Sequence, residues 1–147
     1  MSIISEDKAF DILDNSSSGG LERVEAVRYL AELANERDIE RLVQALQDDD
    51  FGVRWEASIS LSKLGKIALP SILKALMDPD RVGDPRLIRG ALRALSRMEH
   101  SALPQSAGKL VEALRGPAAD VAAMEVAYKV LADIEDQSRT NPRKVIH

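Results

Sequence analysis

The chain has 147 residues, 45% of them hydrophobic and 30% charged, a formal net charge of -4 and no cysteine. That balance suits an ordered, water-soluble domain long enough to bury a core, and it excludes a disulfide framework, a thiolate nucleophile and a cysteine-ligated metal. No stretch approaches the roughly 20 apolar residues of a membrane span, and Met1-Ser2-Ile3-Ile4 lacks the basic start and apolar run of a signal peptide, so a cytoplasmic protein is expected.

Residues 1–20 read as an N-terminal capping helix and loop. Ala9, Phe10, Ile12 and Leu13 share one side of a helix over 5–14, Ser5 is placed to cap it, and Asn15 to Gly20 is loop by composition. The loop lacks the lysine and the spacing of a phosphate-binding GxxxxGK[ST] turn. The first helical hairpin is expected over 21–50, where Glu22, Arg23, Glu25, Arg28 and Glu32 stand at spacings that allow pairing along the helix. The Asp48-Asp49-Asp50 turn does not have calcium-loop spacing, so it is read as a cap for the next helix.

The second hairpin, 51–80, is the clearest module. An apolar stripe through Val53, Ala57, Leu61 and Leu64 ends at Gly65, and a second stripe follows through Leu69, Ile72, Leu73 and Leu76. Ser58, Ser60 and Ser62 alternate along the first helix with no partner base and read as solvated. The third hairpin spans 81–119, a half repeat 120–135 begins with Asp120 as cap, and 136–147 is a polar tail. Pro70, Pro85 and Pro104 sit where a first helical turn has spare amides, so each is expected to open a helix. The third hairpin's second helix is expected to be longer than its counterparts.

The module recurs. A shift of 31 carries Ala26, Leu30 and Leu33 onto Ala57, Leu61 and Leu64, a shift of 34 carries these onto Ala91, Leu95 and Met98, and a shift of 70 reaches Ala127, Leu131 and Ile134. One hairpin exposes more apolar face than it covers, so copies must stack. The fold expected is all-α, a right-handed solenoid of antiparallel helical hairpins over 21–135. Val53-Arg54, Ala57, Leu64-Gly65, Ala68-Leu69-Pro70 and Asp78 resemble the HEAT repeat, in particular the short repeats of phycobilisome-lyase-like proteins. The first copy keeps Arg23 without the proline. The third has Ile88 where the arginine would stand, which interrupts the Asp-Arg ladder of such repeats. The resemblance implies a protein-binding scaffold and, as an alternative, a bilin lyase-isomerase or a subunit of one.

Catalytic groups are scarce. His100 follows Glu99 in a turn and His147 is terminal. The His-Glu pairs of HEAT-like di-iron hydroxylases and the basic aromatic groove of HEAT-like alkylpurine glycosylases are both missing. Neither a catalytic residue nor a metal or other cofactor is expected.

Two faces remain. The second helices show Arg41, Gln44, Ser71, Lys74, Gln105 and Lys109, a mixed polar row that the resemblance places on the concave side. The outward row of the first helices reads Val24, Arg28, Glu32, then Trp55, Ile59, Lys63, then Arg89, Arg93, Arg97, then Glu125, Lys129, Asp133. Arg86 joins the third group, so four arginines share an arc of about 80°. Tryptophan and arginine are the residues most enriched in binding hot spots. The partner-binding expectation is therefore Trp55, Ile59, Arg86, Arg89, Arg93 and Arg97, docking a protein with an acidic segment. The alternative is that Trp55 and Ile59 pack beneath a neighbouring helix or the N-terminal segment and the arginines form a solvated face.

Residues 1–50 hold 13 acids and 5 bases and residues 51–147 hold 11 acids and 15 bases, so self-association is a further expectation. A general nucleic-acid binder would be basic as a whole, which places nucleic acid third.

Overall fold

The computed structural model describes residues 5–99, 101 and 103–140, and every regular element among them is helical. Helix α1 (Glu6–Asp14) precedes three hairpins: α2 (Gly20–Leu33) with α3 (Glu36–Ala45), α4 (Phe51–Leu64) with α5 (Leu69–Leu76), and α6 (Pro85–Arg97) with α7 (Ala107–Arg115). A long helix α8 (Ala119–Thr140) follows. α4 packs on both α2 and α6 to make one layer, and α3 packs on α5 in the layer behind it. The result is an α-solenoid in which the repeat-related Leu30, Leu61 and Leu95 are each 0% exposed.

Local chemistry sets the helix ends. Ser5 and Asp50 each accept an amide hydrogen bond at 3.1 Å, from Lys8 and Val53, and Asp84 accepts one from Arg86 at 2.8 Å. Pro85 is the first residue of α6, where no amide partner is needed. Gly65 closes α4 at φ 62°, a conformation that favours glycine, whereas the position 31 residues earlier is Ala34 at φ 52°. The first hairpin therefore bears roughly 1 kcal/mol of strain that the second avoids. At Gly90 a side chain would meet Leu46 Cδ2 at 2.9 Å, so the bare backbone lets α6 approach the end of α3.

Arg23 ties the first three helices together. It is buried, and its Nη1 donates to the carbonyl oxygens of Ile12, Leu13 and Asn15 at 3.0–3.1 Å, across the C-terminal end of α1. Its Nη2 pairs with Asp48 beyond α3. One repeat later, Arg54 Nη1 donates to the carbonyls of Asp48 and Asp49 at 2.7 and 3.0 Å. The Asp-Arg ladder thus has a rung at Arg23, turns to carbonyl capping at Arg54 and stops at Ile88.

The structure corrects several expectations. The charges of α2 pair across helices rather than along α2, as Arg23–Asp48 and as Arg28–Glu56 at 3.0 Å. Ser58 and Ser60 are buried, because α4 has a first helix on either side, and Ser58 Oγ donates to Trp55 O at 2.8 Å. Leu33 is 40% exposed because no earlier hairpin covers its side of α2. Pro104 does not open a helix: Pro104 to Ser106 form a turn, with Ala107 N donating to Pro104 O at 2.9 Å, and α7 starts at Ala107. α7 is therefore displaced rather than long, nine residues against ten in α3 and eight in α5. Asp120 lies inside the first turn of α8, where its charge still complements the helix dipole.

α8 differs most. It does not stand as a fourth first helix; it packs on α7 and α5 and scarcely touches α6. The displaced α7 leaves the open side of α5 uncovered, and the small buried residues Ala119, Ala123 and Ala127, with Val130, let α8 close on it. The helix also runs past Glu135 to Thr140, since no proline or glycine interrupts it before Pro142.

Asp38 gives a testable electrostatic consequence. Its side chain is fully buried, Oδ2 accepts from Asn35 N at 3.0 Å, and Oδ1 has no donor among the described residues. Burial, followed by the hydrogen bond and charge of the Glu6 carboxyl, raises its pKa above the usual carboxylate range, against the Asn35 amide and Arg37. The folded state therefore holds this proton at a pH where the unfolded chain has lost it. At neutral pH the ionised form costs stability, and the cost fades as pH falls through the raised pKa. Asp38→Asn keeps an acceptor for Asn35 and offers an amide donor to Glu6. It is expected to raise stability at pH 7 by about 1 kcal/mol. Thermal melts should show the gain shrinking as pH is lowered; a variant less stable than the parent at pH 7 would contradict this.

Candidate functional site

The most distinctive surface lies where α4 meets α6. Because Asp50 caps α4, Phe51 is the first residue of the helix and shares a side with Trp55 one turn on. Phe51 is 57% exposed and Trp55 40%, and their rings lie 6.3 Å apart at 37°. From α6, the Arg93 guanidinium stands 5.1 Å from the Trp55 ring centre and 5.8 Å from that of Phe51, and Arg97 stands 5.1 Å from Trp55. Arg54 lies over Phe51 at 5.5 Å. Three guanidinium groups thus crowd two aromatic rings.

Arg93 is half-buried. Burial first, then the charges of Arg54 and Arg97, lower its pKa from the ordinary arginine value. Arg93 and Arg97 form no ion pair among the described residues. The rings supply part of the missing stabilisation, at about 0.5–2 kcal/mol per cation–π contact, but they do not neutralise charge. A guanidinium stacked on a ring still has its edge N–H groups free for a carboxylate. The arrangement can therefore bind anionic groups next to an apolar surface.

The structure brings together only some of the outward residues. Trp55, Arg93 and Arg97 form the cluster, and Trp55 is held between arginines rather than beneath a helix. Ile59 follows one turn along α4 and is half-buried. Arg89 is exposed and makes no ion pair among the described residues. Arg86 turns away to Asp49 at 2.9 Å and to Gln47 O. Glu125, Lys129 and Asp133 do not continue the row, because α8 leaves the first layer. Phe51 and Arg54 belong to the cluster although sequence reasoning passed over both. The signal that would have found Phe51 is the Asp50 cap directly before it. Arg54 was absorbed by the repeat signature.

The row on the second helices is less coherent. Arg41 is used internally, donating to Leu13 O at 3.0 Å and to Asp14 at 3.2 Å, where it holds α1. Gln44, Ser71 and Lys74 line a hollow of about 190 Å³ between α3 and α5. Gln105 falls in the turn before α7, and Lys109 is exposed on α7. His100 lies outside the described residues. Among the described residues no group of histidine, aspartate and glutamate could hold a metal ion, and no helix is long and apolar enough to cross a membrane.

The sequence model of a family described as HEAT repeats matches residues 6–86, rather more than half of the chain. No curated protein and no solved structure matches it.

Proposed function

The chain belongs to the HEAT-repeat family, and from that premise we propose that it is a non-enzymatic docking module that holds a protein partner in the cytoplasm. The partner's acidic segment binds across α4 and α6, with Phe51 and Trp55 as the apolar anchor and Arg89, Arg93 and Arg97 as its counter-charges. One observation carries this reading: Arg54, Arg93 and Arg97 converge on two exposed rings with no carboxylate of the described chain among them. Like charges this close repel by a few tenths of a kcal/mol per pair, and an acidic segment removes that cost.

Trp55 is the only tryptophan in the chain, so its emission reports on this site alone. Titrating a synthetic peptide of alternating glutamate and leucine at low salt is expected to change the Trp55 emission, and added salt should weaken the response. Arg93→Glu with Arg97→Glu is expected to reduce the peptide affinity at least about tenfold while the far-UV dichroism stays helical. Binding that survives this variant and is lost instead on Lys74→Glu would move the site to the hollow between α3 and α5. A preference for duplex DNA over the peptide would replace a protein partner with nucleic acid.

A further inference from the structure

The same face carries, on α2, the charge that α6 lacks. Glu25 and Glu32 lie two turns apart on α2, are exposed, and form no ion pair among the described residues. Arg28 between them is neutralised by Glu56 at 3.0 Å. Across the layer the surface therefore runs from acidic α2, through the rings of α4, to basic α6. Leu21, 74% exposed at the start of α2, adds an apolar flank near the level of Phe51. The repeat shifts place Glu32 level with Arg97, and Glu25 between the levels of Arg89 and Arg93.

We propose that this band is self-complementary and that its occupant is a second copy of the chain, paired face to face about a two-fold axis parallel to α4. Such an axis preserves height along the helices and exchanges the two sides. It lays Glu25 and Glu32 of each copy against the Arg89, Arg93 and Arg97 row of the other, and brings the Phe51 and Trp55 rings together at the centre. Apart from the exposed Lys63 at the C-terminal end of α4, which lies level with Glu32, the band has apolar groups in the middle and charges at the rim, the arrangement of specific interfaces. A two-fold perpendicular to the helices would instead oppose like charges. This pairing rests on the docking reading above and names its acidic partner as α2 of another copy. Three helices of about 20 Å, with axes about 10 Å apart, offer on the order of 1,000 Å² for the pair, at the low end for a specific dimer. The pair should accordingly be weak and sensitive to salt.

Sedimentation of the whole chain over a wide concentration range tests it. The mass is expected to rise from one chain to two with concentration, and salt should shift that rise to higher concentration. Arg97→Glu alone and Glu32→Lys alone are each expected to weaken pairing at least about tenfold, with unchanged far-UV dichroism. An equimolar mixture of the two variants should recover pairs, because both contacts across the mixed pair again join opposite charges. A single mass at every concentration overturns the proposal, as does pairing indifferent to either variant or a mixture no better than its components. If the chain stays monomeric while Trp55 still responds to the acidic peptide, self-pairing falls and the docking reading stands. If the peptide response is also absent, both fall.

Discussion

Replacing Arg23 with alanine is expected to cost about 3–5 kcal/mol, the range for removing one partner of a buried ion pair. The substitution strands the Asp48 carboxylate, whose side chain is 8% exposed, and leaves the carbonyls of Ile12, Leu13 and Asn15 without their shared donor. Arg23→Lys should fall between the two, since an ammonium keeps the charge but cannot reach the end of α1 and Asp48 with one rigid fork. Urea unfolding would measure both. A loss near zero for alanine would mean that water satisfies these groups and that α1 is held by its apolar contacts alone. The effect should also be directional, because Arg23 joins α1, α2 and the end of α3 while α6 to α8 do not depend on it. Amide exchange in α1 should accelerate more than in α8.

Leu61→Ala and Leu95→Ala are each expected to cost about 2–5 kcal/mol. Both side chains are 0% exposed and occupy the same repeat position in adjacent first helices. Neighbouring hairpins enclose them, so a shortened side chain leaves a cavity that rigid helices fill poorly. Leu61, in the central hairpin, has stacked partners on both sides and should be the more costly of the two. Leu33→Ala, at a repeat-related but 40% exposed position, is the internal control and should cost far less. Equal losses at Leu33 and Leu61 would contradict the order in which the hairpins are stacked.

The stripes at Ala26 and Leu30, Ala57 and Leu61, and Ala91 and Leu95 were legible because a helix repeats its face every 3.6 residues, and a residue's place on that face needs no knowledge of its neighbours. The caps at Ser5 and Asp50 and the break at Gly65 were legible for the same reason, since each acts within a few residues of itself. The recurrence of these signals specified stacked hairpins before any contact was known.

What covers each face is a different kind of fact, decided by residues distant in the chain. Ser58 and Ser60 read as solvated until α2 and α6 closed on both flanks of α4. Arg41 had the pattern of a groove residue, but α1 lies within its reach and takes its guanidinium. Arg86 shared an arc with Arg89 and Arg93, yet Asp49 draws it away from Trp55. The aromatic and arginine cluster shows both sides of this. Trp55 and the arginines of α6 could be read from their rows, while the part played by Phe51 and Arg54 emerged only when α4 was seen to begin at Asp50 and to lie against α6. α8 carries the apolar pattern of a fourth first helix and packs elsewhere, because the displaced α7 leaves α5 open. Periodicity determines which side chains share a face, but burial is settled by whichever element removes that face from water.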